Sequence, residues 1–319
     1  MNEFEIIKKY LRPLAKKDPG SLNLSDDIYF NKKKGLSITV DTYVEGIHFV
    51  NSEEPKYFLK KVIRSSLSDL YSKGIKPESY FLSFALNKKL ATKTWLSKIS
   101  KILKSEQNRF NISLGGGDTV SSKKLIITIV AIGFSFKKPV LRKGSKINND
   151  VYVTGNIGDS FLGLCVIKKR MNLGIYNTFF KKKYYEPDLA LKIFPYLNKI
   201  ATAAIDISDG LSQDLNHICK ESKCGALIDL SSLPLSSQCK KILTIKKLNI
   251  KNIFSNGDDY QILFTSKSSK RNKIKNLSKK LNLKITKIGK ITKGKNIIFR
   301  DNCKNFRLSA IKMGYTHIF

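Results

Sequence analysis

The chain has 319 residues, with 59 Lys and Arg against 25 Asp and Glu, a formal net charge of +34 and 41% hydrophobic residues. That length suits two domains of about 150 residues each, and no stretch nears the roughly 18 to 20 consecutive apolar residues of a membrane span. The five cysteines (Cys165, Cys219, Cys224, Cys239, Cys303) are odd in number and form no CxxC pair, which argues against a disulfide framework or a zinc site and fits a reduced, cytoplasmic location. Lysines are spread in short groups such as 32–34 and 181–183, with no RNP-like, zinc-finger or basic-region signature beside them. The charge therefore reads as solvated surface that attracts anionic substrates, and not as specific nucleic-acid recognition.

In chain order, MNEFEIIKKYLRPLAKK mixes charges with apolar residues at helical spacing and lacks the uninterrupted apolar segment of a secretory signal. LSITVDTYVEGIHF reads as a strand that stops at Asp41. PKYFLKKVIRSSLSDLYSKG follows as a helix, with Pro55 in its first turn and Gly74 as its C-terminal cap. Strands are expected at SYFLSFAL and at 124–136, with a helix over 92–108 between them. The Lys-, Gly- and Asn-rich segment KKPVLRKGSKINND interrupts the periodicity and divides the chain into domains 1–137 and 138–319. Beyond it, DVYVTGNIGD predicts a strand and a glycine turn. Helices near 160–170, 188–200, 211–221 and 269–282 then alternate with strands near 203–206, 225–230, 259–265 and 284–290. The fold class expected is α/β (α+β), two mixed domains, and the two Gly-Asp turns LGGGD and TGNIGD hint that the halves are related.

The scarce acids are not scattered. Asp26, Asp27, Asp41, Asp69, Asp118, Asp206, Asp209, Asp258 and Asp259, nine of the sixteen Asp, sit in apolar or Gly-rich settings. In SLGGGDTV three glycines free the backbone to approach a ligand and to present amides to an anion, yet no GK[ST] or GxGxxG pattern is present. A carboxylate beside a phosphate cradle repels the phosphate unless a cation lies between them, and Mg²⁺ binds through one or two carboxylates together with phosphate oxygens. Each acid alone could be a helix cap or turn; converging on one cleft, they need divalent cations. GxSxG is absent and no Ser or Cys has an evident His partner. His217, at helical spacing in QDLNHICK, reads as structural, and His48, in a loop near the acids, as a ligand contact. A site rich in Asp and poor in bases suits phosphoryl transfer.

DDIYF, ITVDTYVEGIHF, SLSDLYSKG, LGGGDT, VYVTGNIGDS, AIDISDGLSQDL, NGDDYQ and MGYTHIF occur in the order and approximate spacing of thiamine-monophosphate kinases, so the whole chain resembles that family. The resemblance implies the two-domain fold shared with aminoimidazole ribonucleotide synthetase, a homodimer paired through the N-terminal domains, and ATP-dependent phosphorylation of thiamine monophosphate with several Mg²⁺ ions. By the same resemblance Asp27, Thr39, Asp41, Asp69, Asp118, Asp206 and Asp209 would hold metal. Gly117, Asp118, Arg142, Ser208 and Phe110 would meet ATP, and His48, Asp258 and Tyr315 the thiamine phosphate. Asn23 and Ser25 stand where the family has glycines, Asp258 where it has Glu, and YYEPDLAL keeps Pro187 of the family's Arg and Pro pattern but loses the arginines. A selenophosphate synthetase is the enzymatic alternative, though that family carries a reactive Cys near the N-terminus and the first Cys here is Cys165. A non-catalytic nucleotide-binding regulator is the other.

Overall fold

The structure, a computed structural model, describes residues 1–50, 52–301, 304–307 and 314. A short helix α1 (Glu3–Ile6) precedes strands β1 (Tyr29–Asn31) and β2 (Leu36–Val44). Helix α2 (Leu59–Ser72), β3 (Pro77–Leu86), α3 (Lys93–Phe110), β4 (Ser113–Ser121) and β5 (Ile126–Phe134) follow. The later part contains β6 (Asp150–Thr154), α4 (Asp159–Ile167), α5 (Asn177–Tyr185), α6 (Phe194–Ile200), β7 (Ala203–Asp206), α7 (Leu211–Ser222) and β8 (Gly225–Asp229). It continues through α8 (Ser237–Ile245), α9 (Ile250–Phe254), β9 (Ile262–Ser266), α10 (Arg271–Leu281), β10 (Ile285–Thr292), β11 (Ile297–Asp301) and β12 (Lys304–Arg307). The expected mixed α/β class is what is observed.

The first five strands form one sheet in the order β1-β2-β5-β3-β4, and the other seven form a second, β12-β11-β8-β10-β6-β9-β7. In the first sheet, alternation is clean: Thr39 and Tyr43 of β2, Ile127, Ile129 and Ala131 of β5, and Tyr80, Leu82 and Phe84 of β3 turn inward. They meet Val62, Leu67 and Leu70 of α2 and Trp95, Ile99 and Leu103 of α3 in one core. In the second sheet β6, β7 and β9 are buried at every position. Val151 and Val153 join Leu162, Leu211, Leu215 and Ile218 on one face. Tyr152 and Phe264 join Leu197, Ile274 and Leu277 on the other. Helices on both sides explain why these strands read as continuous apolar runs.

Four expectations shift. β2 continues through Asp41 to Val44, so that acid lies within the strand and not at its end. Pro55 opens a separate 3₁₀ turn, Pro55–Tyr57, before α2 begins at Leu59. Pro195 resets the helix expected over 188–200, which starts at Phe194. SLGGGDTVS is a fully exposed edge strand parallel to β3, whereas TGNIGD is a turn, so the two Gly-Asp segments do not correspond. Glycine suits that strand for a local reason. A Cβ at Gly117 would meet the Leu82 carbonyl oxygen at 1.8 Å, and Gly115 lies over the Phe81 ring.

Helix α2 joins the two units: it packs on β2 and β5 of its own sheet and on β7 of the other. Arg64 on its buried face forms a bidentate pair with Glu106 of α3, at 2.7 and 2.9 Å, and donates to the Pro187 carbonyl at 3.2 Å. Both side chains are buried, so removing one partner strands the other charge. Arg64→Leu should lower unfolding stability by about 3–5 kcal/mol, and Arg64→Leu with Glu106→Leu should recover most of it. Urea titration of the three proteins checks this, and a single variant within 1 kcal/mol of the parent, on the order of a surface pair, would contradict it.

Candidate active site

The seam between α2 and β7 gathers the acids. The loop before β1 brings Asp26 and Asp27, β2 brings Thr39 and Asp41, α2 brings Asp69, and β7 with the turn after it brings Asp206, Ser208 and Asp209. Carboxylate oxygens of Asp27, Asp69 and Asp206 lie within 4.8 Å of one another. Thr39 donates to Asp69 Oδ2 at 2.6 Å and fixes that carboxylate. Asp41 Oδ2 and Asp206 Oδ2 are buried without a hydrogen-bond partner. Buried polar atoms are ordinarily satisfied, and hard-oxygen donors without partners are the set that suits Mg²⁺. The residues present therefore fit such an ion.

Electrostatics agrees. Burial, reinforced by Asp206 and Asp27 and opposed by the Ser66 hydroxyl, pushes Asp41 up to about 7. Burial and Asp27 push Asp206 up to about 6. Asp69 is raised well above the ordinary carboxylate range by burial, Asp41 and Asp206. Burial and Glu3 lift Asp209 to about 7. Asp27 alone goes the other way: burial would raise it, but Arg142 and Lys73 outweigh burial and hold it well below the usual range. Arg142 grips Asp27 through Nη2 and through Nε at 3.1 Å, and its backbone N–H donates to Asp26 Oδ2 at 2.7 Å.

A second group was not anticipated. Asp209, Asp214 and His217 each offer a ligand atom within 4.8 Å of the others. The Gly210 N–H donates to Asp214 Oδ2 at 3.1 Å, and the His217 ring packs 5.1 Å from Phe4. Burial and Arg142 push His217 down to about 3, so it is neutral.

The expected acceptor residues form another cluster. Lys61 Nζ lies 2.8 Å from Asp258 Oδ1, 3.3 Å from the His48 carbonyl oxygen and 3.8 Å from the centre of the Tyr184 ring. Tyr184 Oη also donates to the His48 carbonyl, at 3.0 Å, and Tyr260 Oη to Asp258 Oδ1 at 3.1 Å. Burial would lower Lys61, but Asp258 outweighs it and the ammonium is raised. Asp258 has φ +70°, and its N–H donates to the Ser208 carbonyl at 2.8 Å, so the His48 and Asp258 segments reach the edge of the acid cluster.

Other expected residues lie elsewhere. Asp118 and Gly117 are on exposed β4, separated from β2 by β5 and β3. Gly117 shares a transverse row with Asp41, through Leu82 and Ile129, about three strand spacings or 14 Å away. Phe110, expected beside ATP, packs in the core instead, 4% exposed and 6.4 Å from the Tyr71 ring, because it closes the buried stripe Trp95, Ile99, Leu103 of α3. Tyr315 lies outside the described residues. Sequence reasoning missed Lys61 and Lys73. The available signal was spacing: Lys61, Ser65, Asp69 and Lys73 are four apart, one stripe along α2.

Comparison with known proteins now bears on these residues. Residues 18–135 match the family described as AIR synthase related protein, N-terminal domain, and residues 148–302 its C-terminal domain. The chain is 38% identical to a thiamine-monophosphate kinase of Buchnera aphidicola subsp. Schizaphis graminum over 99% of this chain and 98% of that one. The chain belongs to the thiamine-monophosphate kinase family. The Haemophilus influenzae thiamine-monophosphate kinase is 33% identical over 91% of this chain and 89% of its own. Among solved structures, AaThiL complexed with AMPPCP and TMP superposes with TM-score 0.82 at 25% identity, covering 96% of each chain. The thiamine monophosphate kinase of Aquifex aeolicus superposes with TM-score 0.78 at 27% identity, covering 93% of this chain and 98% of that one.

The raised acids set a pH dependence. Asp41 in the metal-free protein holds its proton up to about 7 against an ordinary 3.8, so its contribution to stability is full below 3.8 and is lost as pH rises through about 7. His217, pushed down to about 3, contributes with the opposite slope between there and its ordinary 6.5. Asp41→Asn isolates the first effect. Its melting temperature in chelator, relative to the parent, should climb between pH 4 and 7 and level off above. A difference that is flat or falls over that interval would contradict the assignment.

Proposed function

We propose that this chain transfers the γ-phosphoryl group of ATP to the phosphate of thiamine monophosphate, giving thiamine diphosphate and ADP. The convergence of Asp27, Asp69 and Asp206, with orphaned oxygens on Asp206 and Asp41, in a chain that matches thiamine-monophosphate kinases end to end, carries this reading. An acceptor phosphate oxygen attacks the γ-phosphorus in line, and the bond to the β,γ-bridging oxygen breaks as ADP leaves. The acceptor is already anionic near neutral pH, so no general base is required. Mg²⁺ held by Asp27, Thr39, Asp41, Asp69, Asp206 and Asp209 would neutralise donor and acceptor phosphates and let two polyanions meet.

The chain's own groups do the positioning. Arg142 is the cation best placed to move from Asp27 to an ATP phosphate; Ser208, in the turn after β7, and Gly117 and Asp118, on β4 at the far edge of the sheet, are assigned to ATP by resemblance. His48 and Asp258 border the acceptor, with Tyr315 assigned by resemblance. Lys61 already compensates Asp258, so that carboxylate orients more than it attracts the thiazolium charge. We assign 1–137 as the ATP- and metal-binding unit and 138–319 as the unit completing the site. Four buried free thiols accord with a reduced, cytoplasmic setting, and no helix among the described residues is long and apolar enough to cross a membrane.

Incubation with ATP, Mg²⁺ and thiamine monophosphate should yield ADP and thiamine diphosphate in equal amounts, with free thiamine inert. Asp206→Asn should lower kcat at least about a hundredfold, the scale of losing a charge-stabilising group. Absence of thiamine diphosphate from the parent reaction would overturn the assignment and favour the non-catalytic regulator.

A homodimer belongs to the same reading. Among the described residues, no helix packs on the face of the five-stranded sheet opposite α2 and α3. Val40, Val130 and Phe81 lie in one row across it, with Val40 61% and Phe81 39% exposed. A contiguous apolar face of this kind is a mark of an interface, and a second copy would cover it. Light scattering at micromolar concentration should give twice the chain mass, and Phe81→Glu with Val40→Glu should halve it. A parent protein that is monomeric would rule the pairing out.

A further inference from the structure

Lys73 caps the C-terminal end of α2, and its side chain has no exposed surface. Its ammonium lies 2.9 Å from Asp26 Oδ1 and 2.7 Å from Asp27 Oδ2, and it donates to the Ala204 carbonyl oxygen at 2.9 Å. Three N–H donors meet three acceptors, the full capacity of an ammonium. The acceptors come from two places far apart in sequence, the loop before β1 and strand β7. An ammonium this deep is costly without such partners, and one lysine among 59 Lys and Arg has been folded into the most acidic part of the molecule.

We propose that Lys73 is the resident counter-ion of the acid cluster. It is a tethered positive charge that holds Asp26 and Asp27 in place in the metal-free protein and fastens the α2 unit to β7. The inference rests on reading the cluster as a divalent-metal centre. Lys73 is a positioning residue: it reaches no substrate, and it acts through Asp27. It stands four residues after Asp69, so the helix presents the ammonium and a metal-side carboxylate on the same face. A monovalent, tethered charge is in direct contact with the Asp26 and Asp27 arm. Asp41 and Asp206 keep their unpartnered oxygens, which are the ones left for an ion. The ammonium also competes with any ion for Asp27, so divalent affinity in the absence of nucleotide is held down and the site fills preferentially with ions that arrive with phosphate.

Lys73→Met removes the charge and keeps most of the stem. In chelator its melting temperature should fall by about 5 °C or more, as expected when a buried pair loses one partner. Calorimetric titration with Mn²⁺ alone should show affinity rising about tenfold, the direction expected when a competing charge leaves a shared carboxylate. Lys73→Met with Asp26→Asn restores the local charge balance and should regain at least half of the lost melting temperature, which a role in packing alone would not produce. An unchanged melting temperature in chelator, Mn²⁺ affinity equal to or weaker than the parent's, or a double variant no more stable than the single one would each overturn the proposal. Should Lys73→Met fail to fold, the double variant decides: folding supports the counter-ion role and failure removes it. The chelator measurements involve no metal. A parent protein that binds no Mn²⁺ with or without ATP would defeat the metal reading and the competition for Asp27, and the melting temperatures would still judge the charge pairing.

Discussion

Everything around the seam follows from one constraint: several carboxylates are held closer together than their charges allow. Asp27, Asp69 and Asp206 share a space of a few ångströms, and Asp41 adds a fourth charge to the same field. At separations of 4 Å and an effective dielectric near 20, each like-charged pair costs about 4 kcal/mol. The metal-free protein meets that cost in two ways. Asp41, Asp69 and Asp206 retain protons at higher pH than usual, while Asp27 stays ionised against Lys73 and Arg142. The cluster is thus split into a half that waits neutral and a half that is ion-paired.

Helix α2 is where the sequence accommodates this constraint. Twelve of its fourteen residues are buried, and among them are Lys61, Arg64, Ser65, Ser66, Ser68 and Ser72. A helix so polar and so buried would be unstable in isolation, since serine is a mediocre helix former and buried hydroxyls need partners. Each finds one. Ser65 and Ser72 bond back to carbonyls of the preceding turn, and Tyr43 Oη bridges Ser65 and Ser66. Along a single stripe, Lys61 meets Asp258, Asp69 meets Thr39, and Lys73 meets the Ala204 carbonyl of β7. One rigid element therefore sets the relative positions of two chemically different clusters, the arrangement that phosphoryl transfer between two bound anions demands.

The acids and most elements were legible in the sequence because they break its statistics: carboxylates are rare in this chain, so their appearance in apolar strands stands out. The fully buried strands were legible for the same reason, as uninterrupted apolar runs. Lys61 and Lys73 were hidden by the opposite circumstance. In a chain so rich in lysine, two buried ammoniums look like the surface ones, and only their place in the four-residue series Lys61, Ser65, Asp69, Lys73 sets them apart. LGGGD misled because glycine disfavours strands; the structure makes it one because β3 presents Phe81 and the Leu82 carbonyl where a side chain would collide. Phe110 was separable on periodicity alone, since it continues the apolar stripe of α3.

The overall charge now acquires a physical role. A chain of formal net charge +34 gathers carboxylates at the seam between α2 and β7. Anionic phosphates are drawn toward the molecule by the long-range field, which acts over a Debye length of about 8 Å at physiological salt. At the seam that field meets little opposing charge, because Asp41, Asp69 and Asp206 retain protons and Asp27 is ion-paired. Among the cations around the cluster, Arg142 is 20% exposed in its side chain and contacts only the Asp27 arm through it, whereas Lys73 is sealed from solvent by three partners. Of the two counter-ions, one keeps access to solvent and with it the freedom to change partner, and the other is placed to stay.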